Sequence, residues 1–284
     1  MASDVEQIVD ARTQMIRTTT PQATLEWIFE QVSDQAGRPL EGIAVASFGP
    51  LNLERGIISM HSPKLAWRGF NLRQAFTERF PRALFSLTTD TQASALGEAV
   101  HGIGHDQGVI AYVTVGTGVG LGLASSQTGI LSTSGHPEFG HIRVSRRMGD
   151  LFQGVCSFHG DCLEGLVSGP ALAVRAGVPD ATELPDSDSI WSDVCNELGS
   201  ALATLTLTVA PNRIILGGGI ASRPFLHEHV RNSMDRQIGV YLDGAGHPTS
   251  DTRIARPSLG VNSALIGAFA HLDRKFQSKD RTES

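Results

Sequence analysis

In the first third of the chain the apolar positions switch between a helical and a strand period. Leu25, Ile28, Phe29 and Val32 share one face of a helix predicted over 21–32, with Thr20 as N-cap and Pro21 at its first position. A continuous apolar run over 42–48 reads as a buried strand, closed by the turn Gly49-Pro50. Residues 72–80 read as a second helix, 83–88 as a second buried strand leading to Asp90, and 92–100 as a third helix. This βαβα alternation predicts a mostly parallel sheet with helices on its faces.

The middle of the chain changes character. Apolar, β-branched runs over 108–114 and 118–124 are joined by Gly116-Thr117-Gly118, and 129–133 offers a third strand. Residues 134–165 read as loop, rich in His, Cys and Gly. Apolar residues at 190, 194, 198, 202, 205 and 209 then predict a long buried helix stopped by Pro211. A strand over 212–216 follows, ending in Gly217-Gly218-Gly219, and an apolar helix over 259–273 precedes a charged tail expected to fray. The second half thus shows antiparallel-looking strands, a helix and a glycine-ended strand. The first half shows only one candidate strand, 7–16, before its helix. If the halves are degenerate copies of one unit, the first lacks its opening hairpin.

A length of 284 residues allows one large domain or two smaller ones, and 40% hydrophobic against 18% charged residues is the balance of a chain with a buried core. The net charge of −6 argues against a nucleic-acid surface or a polybasic membrane anchor. The acidic opening Met1-Ala2-Ser3-Asp4-Val5-Glu6 has no apolar core of a signal peptide, and the longest uncharged stretch is broken by glycines. Three cysteines cannot build a disulfide framework, so the expected setting is reduced and cytoplasmic. Glycine is in excess, 31 residues against a usual ~7%, which points to tight turns and close backbone approach.

Cys156, His159 and Cys162 stand at i, i+3 and i+6 in a glycine-bearing loop, and His141 lies upstream. Together they can form a closed N2S2 site of the structural zinc type. The other reading is two unrelated thiols and a surface histidine. Cys195, on the apolar face of the long helix, reads as core. The run 116–122 lacks the Gly-Lys-Ser/Thr of a P-loop and is followed by a strand where a dinucleotide fold has a helix. It is either a tight hairpin or a hairpin whose N–H groups, with the Thr117 hydroxyl, face phosphates. Gly217, Gly218 and Gly219 are a tight turn or bare backbone under a nucleotide. Asp90 is an N-cap or a general base at the C-terminal edge of the sheet. Glu138 and Glu164 are surface charges or acceptors for vicinal hydroxyls.

Six motifs follow in the order of one family. They are Gly49-Pro50, the stretch from Asp90 to Glu98, Gly116-Thr-Gly-Val-Gly120, Glu138-Phe-Gly-His141, His159-Gly-Asp-Cys-Leu-Glu164-Gly and Leu216-Gly-Gly-Gly219. From about residue 7 to 272 the chain resembles the ROK-family sugar kinases. With His159 between two cysteines, and with His136-Pro-Glu-Phe-Gly-His141, it is most similar to the bacterial zinc-containing fructokinases. The resemblance implies an α/β, actin-like (ribonuclease H-like) ATPase fold of two domains. The smaller would span 1–105 plus the C-terminal helix at about 260–284, the larger 106–259 with its zinc loop at 134–165.

It further implies phosphorylation of a hexose, D-fructose to fructose 6-phosphate, by ATP with Mg2+ and Zn2+, in a homodimer. Asp90 would take the sugar hydroxyl's proton. Glu138, His141, Glu164, Lys64 and Trp67 would meet the sugar, and His141 would also ligate zinc with Cys156, His159 and Cys162. Gly116, Thr117 and Gly118 would meet the phosphates, and Gly217, Gly218 and Gly219 the adenosine side. Two departures stand out. Gln92 replaces the family's asparagine two residues after the aspartate. The family's opening Gly-Gly-Thr-Lys phosphate loop precedes the point where this sequence starts, which agrees with a missing hairpin and leaves two explanations, a start upstream of Met1 or a shortened chain. Readings that stay open are another hexose (mannose, glucose, an N-acetylhexosamine) and a non-catalytic sugar-binding relative. The family's repressors carry an N-terminal helix-turn-helix, which this sequence does not show.

Overall fold

The computed structural model describes residues 18–35, 39–131, 135–243 and 253–282. The candidate strand 7–16 lies outside the described residues, as does the end of the run 129–133. The chain divides into two compact units, Met1–Asp90 with Ala268–Ser284, and Thr91–Gly267.

In the first unit, helix α1 spans Pro21–Gln35, and the Thr20 hydroxyl accepts from Ala23 N–H at 3.4 Å. Strands β1 (Gly42–Ser47) and β4 (Leu84–Thr89) pair in parallel, with Gly42 opposite Leu84 and Ser47 opposite Thr89. Between them lie a small antiparallel ribbon, β2 (Leu51–Asn52) with β3 (Ile57–Ile58), and helix α2 (Leu72–Arg79). Leu25, Ile58, Trp67, Leu72, Phe76 and Phe85 are core residues, with the Phe29 ring edge-on to Phe76 at 5.1 Å.

As far as Thr282 the charged tail is helical, where the sequence suggested fraying. Helix α8 runs Ser263–Thr282. Leu272 and Phe276, one turn apart, lie against β1, where a Cβ at Gly42 would come within 2.9 Å of both. That apolar edge holds the helix through residues whose charges alone suggested solvent.

The second unit is built on a five-stranded sheet in the order β7-β6-β5-β8-β9. Its strands are β5 (Ile110–Val115), β6 (Val119–Ser125), β7 (Gly129–Ile130), β8 (Arg213–Gly217) and β9 (Ile254–Ala255). β5, β6 and β7 form an antiparallel meander, while β8 adds in parallel to β5 and β9 in parallel to β8. On this sheet pack helices α6 (Ile190–Val209) and α7 (Leu226–Ile238), whose Leu198, Leu202 and Val230 are fully buried.

The sequence divided the chain at 105/106 and 259/260, whereas the units divide at 90/91 and 267/268. The reason is helix α3 (Asp90–His101), which packs within the second unit from its second residue onward. A Cβ at Gly122 would meet the Thr91 carbonyl at 2.1 Å, and one at Gly97 would meet the Ser263 carbonyl at 2.2 Å. Glu98 is fully buried and accepts from Ser258 Oγ (2.8 Å), Leu259 N (2.9 Å) and Ser263 Oγ (2.9 Å). Among the described residues no helix is long and apolar enough to cross a membrane.

Candidate active site and metal centre

β4 is buried from Phe85 to Thr89, and the next residue, Asp90, is exposed as the first residue of α3. Thr91 and Gln92 are buried again. The sheet therefore delivers one carboxylate to solvent at the C-terminal end of a parallel strand, where α/β folds place ligand-handling groups. Gln92 lies on the other side of that boundary and donates from Nε2 to the Gly135 carbonyl at 3.4 Å, beside the segment that carries Glu138.

Parallel pairing of β5 with β8 sets Thr114 opposite Gly217, so the two glycine turns leave the sheet side by side. The glycines are there for different reasons. A Cβ on Gly217 would strike the Tyr112 hydroxyl at 2.4 Å, and Gly218 has φ +94° with the Val115 carbonyl 2.4 Å from a Cβ. Gly219 has open space, and Gly116 meets nothing nearer than the Gly219 nitrogen at 3.8 Å. The bare backbone that faces open volume is thus the pair Gly116 and Gly219, with Thr117 exposed at the hairpin tip.

Four ligand atoms, one each from His141, Cys156, His159 and Cys162, lie within 4.8 Å of one another. His141 Nδ1 is 3.7 Å from Cys156 Sγ and 3.6 Å from Cys162 Sγ, and His159 Nδ1 is 3.7 Å from Cys156 Sγ. Zinc bonds of about 2.0–2.3 Å in a tetrahedron separate ligand atoms by about 3.3–3.8 Å, so this N2S2 set fits a closed zinc site. Burial pushes the Cys162 thiol up to about 11, with Cys156 and Glu164 adding to the shift, so binding a cation displaces a proton there.

The loop is also anchored from behind by residues that no sequence motif marked. Arg146 donates to the Asp150 carboxylate (3.0 Å), to Asp161 (3.2 Å) and to the Phe152 carbonyl. Asp161 also pairs with Arg143 and stands between the ligands His159 and Cys162. Arg175, on helix α5 (Gly169–Ala176), bridges Asp150 (2.9 Å), Asp193 (3.1 Å) and the fully buried Glu197 (3.3 Å). Burial works against the Asp150 charge, yet the Phe152 N–H, Arg146 and Arg175 hold its carboxyl below the usual range. Burial pushes Glu197 up to about 7 against the pull of Arg175. The available signal was Glu197 itself, a carboxylate between Val194 and Leu198 on the apolar face of α6.

Two carboxylates of this unit, Glu138 and Glu164, gather beside the Cys-His cluster. Glu138 Oε1 lies 3.3 Å from His136 Nδ1, and its Oε2 lies 3.9 Å from His141 Nε2. His141 thus presents Nδ1 to the cysteines and Nε2 toward a carboxylate, the arrangement that orients metal-bound histidines. Burial raises Glu138 above its usual value; His141 opposes this and Glu164 adds to it. Glu164, in the first turn of helix α4 (Leu163–Val167), accepts from Val119 N–H at 3.0 Å.

Lys64 and Trp67 belong to the first unit. The Lys64 ammonium lies 4.4 Å above the Phe48 ring and donates to Thr18 Oγ1 at 2.6 Å. Trp67 is 3% exposed, edge-on to Phe48 at 5.4 Å, and its indole N–H donates to the Thr19 carbonyl at 3.2 Å.

A profile of the ROK family matches residues 2–275. This chain belongs to the ROK family. The ROK chain is 35% identical to a fructokinase of Lactococcus lactis subsp. cremoris over 262 residues, 89% of this chain and 85% of that protein. It is 34% identical to a fructokinase of Pediococcus pentosaceus over 260 residues, 89% of this chain and 86% of that protein. In structure it is similar to the ROK hexokinase of Thermus thermophilus, with a TM-score of 0.71 and 26% identity over 93% of this chain and 89% of that one. The actin-like ATPase fold follows, with the β5-β6-β7 meander and parallel β8 as its second-unit sheet.

Proposed function

We propose that this ROK chain is a sugar kinase that transfers the γ-phosphoryl group of MgATP to D-fructose, giving fructose 6-phosphate. The observation that carries the reading is 34–35% identity to named fructokinases over 85–86% of their length, in a chain whose Cys-His cluster adjoins two carboxylates. Asp90 is the general base that takes the proton from the attacking hydroxyl, a contribution of about 10²–10⁴-fold. Glu138, His141 and Glu164 hold sugar hydroxyls. The resemblance adds Lys64 and Trp67 to the sugar-binding residues.

Gly116, Thr117 and Gly118 offer backbone and hydroxyl donors to the phosphates. Gly217 and Gly218 shape the turn that leaves Gly219 bare for the nucleotide. In phosphoryl transfer positioning and charge neutralisation carry most of the catalysis, so these groups and Mg2+ suffice. Zinc on His141, Cys156, His159 and Cys162 has a full ligand set and shapes the loop without activating water. Thiol ligands suit a reducing, cytoplasmic setting, and the resemblance adds a homodimer.

A second reading keeps the reaction and changes the hexose. The structurally similar hexokinase and the departure at Gln92, which reaches toward the Glu138 segment, favour testing it. The deciding experiment is ADP release by zinc-replete protein with MgATP and D-fructose, D-mannose, D-glucose or an N-acetylhexosamine. Fructose should give the highest kcat/KM. A higher value for another sugar moves the assignment to that sugar, and hexose binding with no turnover points to a sugar-binding relative.

A further inference from the structure

Both ends of the β5–β6 turn are tied to one short stretch of chain. The Gly116 carbonyl accepts from Gly169 N–H at 2.7 Å, and Val119 N–H donates to Glu164 Oε2 at 3.0 Å. The exposed tip, Thr117, stands between these two anchors. Gly118 makes the second possible, since a Cβ there would lie 2.7 Å from the same carboxylate oxygen. The Glu164 main chain is itself fixed: its carbonyl accepts from Ser168 N–H at 3.1 Å, and helix α4 starts directly after the metal ligand Cys162. A side chain rooted at the end of the metal loop therefore reaches across to hold the backbone of the glycine hairpin.

We propose that Glu164 is a positioning residue for the nucleotide, its carboxylate setting the backbone of the turn at Gly116, Thr117 and Gly118 while its remaining acceptor capacity serves the sugar. The inference rests on the functional reading above. A carboxylate has about four lone-pair sites, so one bond to Val119 N–H leaves room for a hydroxyl. The consequence is counter-intuitive in sign. Coulombic repulsion alone would make removal of an acid beside a polyphosphate tighten nucleotide binding. Loss of the brace makes it weaker.

Calorimetric titration of zinc-replete wild type, Glu164→Gln and Glu164→Ala with MgADP, without sugar, separates the two signs. Hydrogen exchange of the peptide covering 116–124 follows the brace directly. Gln keeps an acceptor for Val119 N–H and loses the charge, so it should bind MgADP at least as tightly as wild type. Ala should bind roughly tenfold more weakly than Gln, the scale of one lost hydrogen bond. The peptide should exchange faster in the Ala variant alone. If Ala melts early, Glu164→Met keeps the stem without the acceptor and replaces it. Ala or Met matching Gln in both MgADP affinity and exchange overturns the proposal. Wild type that binds no MgADP overturns it together with the functional reading, a failure visible before any variant is made.

Discussion

The glycine turns at the ends of β5 and β8 and the loop from His141 to Cys162 are built by opposite means. The turns get their geometry from sheet register, and what they require of the sequence is mostly the absence of a side chain. Gly116 and Gly219 come together because β5 and β8 are parallel neighbours. The loop has little regular structure, and its geometry comes from side chains, four ligand atoms in front and a buried ionic core behind. Apart from the Glu164 brace on the hairpin, a strand end therefore depends little on any one polar group. The loop depends on side chains that a single substitution or a proton can disable.

The sharpest test of the strand-end class is Asp90→Asn. Asp90 is exposed as the first residue of α3, so the variant should still fold while kcat falls by about 10²–10⁴-fold, measured by ADP release with MgATP and fructose. Near-normal turnover would remove Asp90 from the role of base.

Next comes the loop's ionic core. Arg175→Met leaves Asp150 and Glu197 facing each other without their shared cation, and breaking a buried pair costs about 3–5 kcal/mol. Denaturant unfolding of the metal-loaded protein reads this directly. A loss below about 1 kcal/mol, the range of surface pairs, would mean that the cation site alone holds the loop.

The two neighbouring glycines test the turn itself. Gly218→Ala meets both a positive φ and the Val115 carbonyl, a strain of about 1–3 kcal/mol. Gly219→Ala meets open space, so stability should change by less than about 0.5 kcal/mol while MgADP affinity falls. Equal melting temperatures for the two variants would contradict the structure of the turn.

The last test is a pH slope. Glu197 titrates near 4.5 when unfolded and at about 7 in the fold, because burial favours its neutral form. Its contribution to stability is complete below pH 4.5 and is lost as pH rises through about 7. Asp150 is shifted the other way and acts only as pH falls below the usual carboxylate value of about 3.8. Melting temperatures between pH 5.5 and 8 should therefore decline in wild type and run flatter in Glu197→Gln. Parallel profiles would show that Glu197 stays ionised inside its network.

Much of the loop's front was readable before any coordinates. Cys156, His159 and Cys162 lie close enough in sequence that spacing alone suggests one cluster, and the need for a fourth soft or borderline ligand pointed to His141 upstream. Its back was not readable, because Arg175 meets Asp150 and Glu197 only when α5, α6 and the loop pack together. The same limit applies to Trp67, whose burial against Phe48 depends on the packing of the first unit's core. In the tail, local charge suggested fraying, and the contact of Phe276 with β1 overrode it.

Local pattern was enough for what local energetics decides. Amphipathic period, capping residues and β-branched runs specify α1, α6, β5, β6 and β8, because each helix or strand must bury its own apolar face. The three glycines at 217–219 look alike in the sequence, yet one makes room for Tyr112, one adopts a left-handed φ and one faces open space. Packing decided that, together with the two ends of the hairpin meeting Glu164 and Gly169. Such contacts join residues dozens of positions apart, and no periodicity carries their distance, because long-range geometry exists only once the layers of the fold are in place.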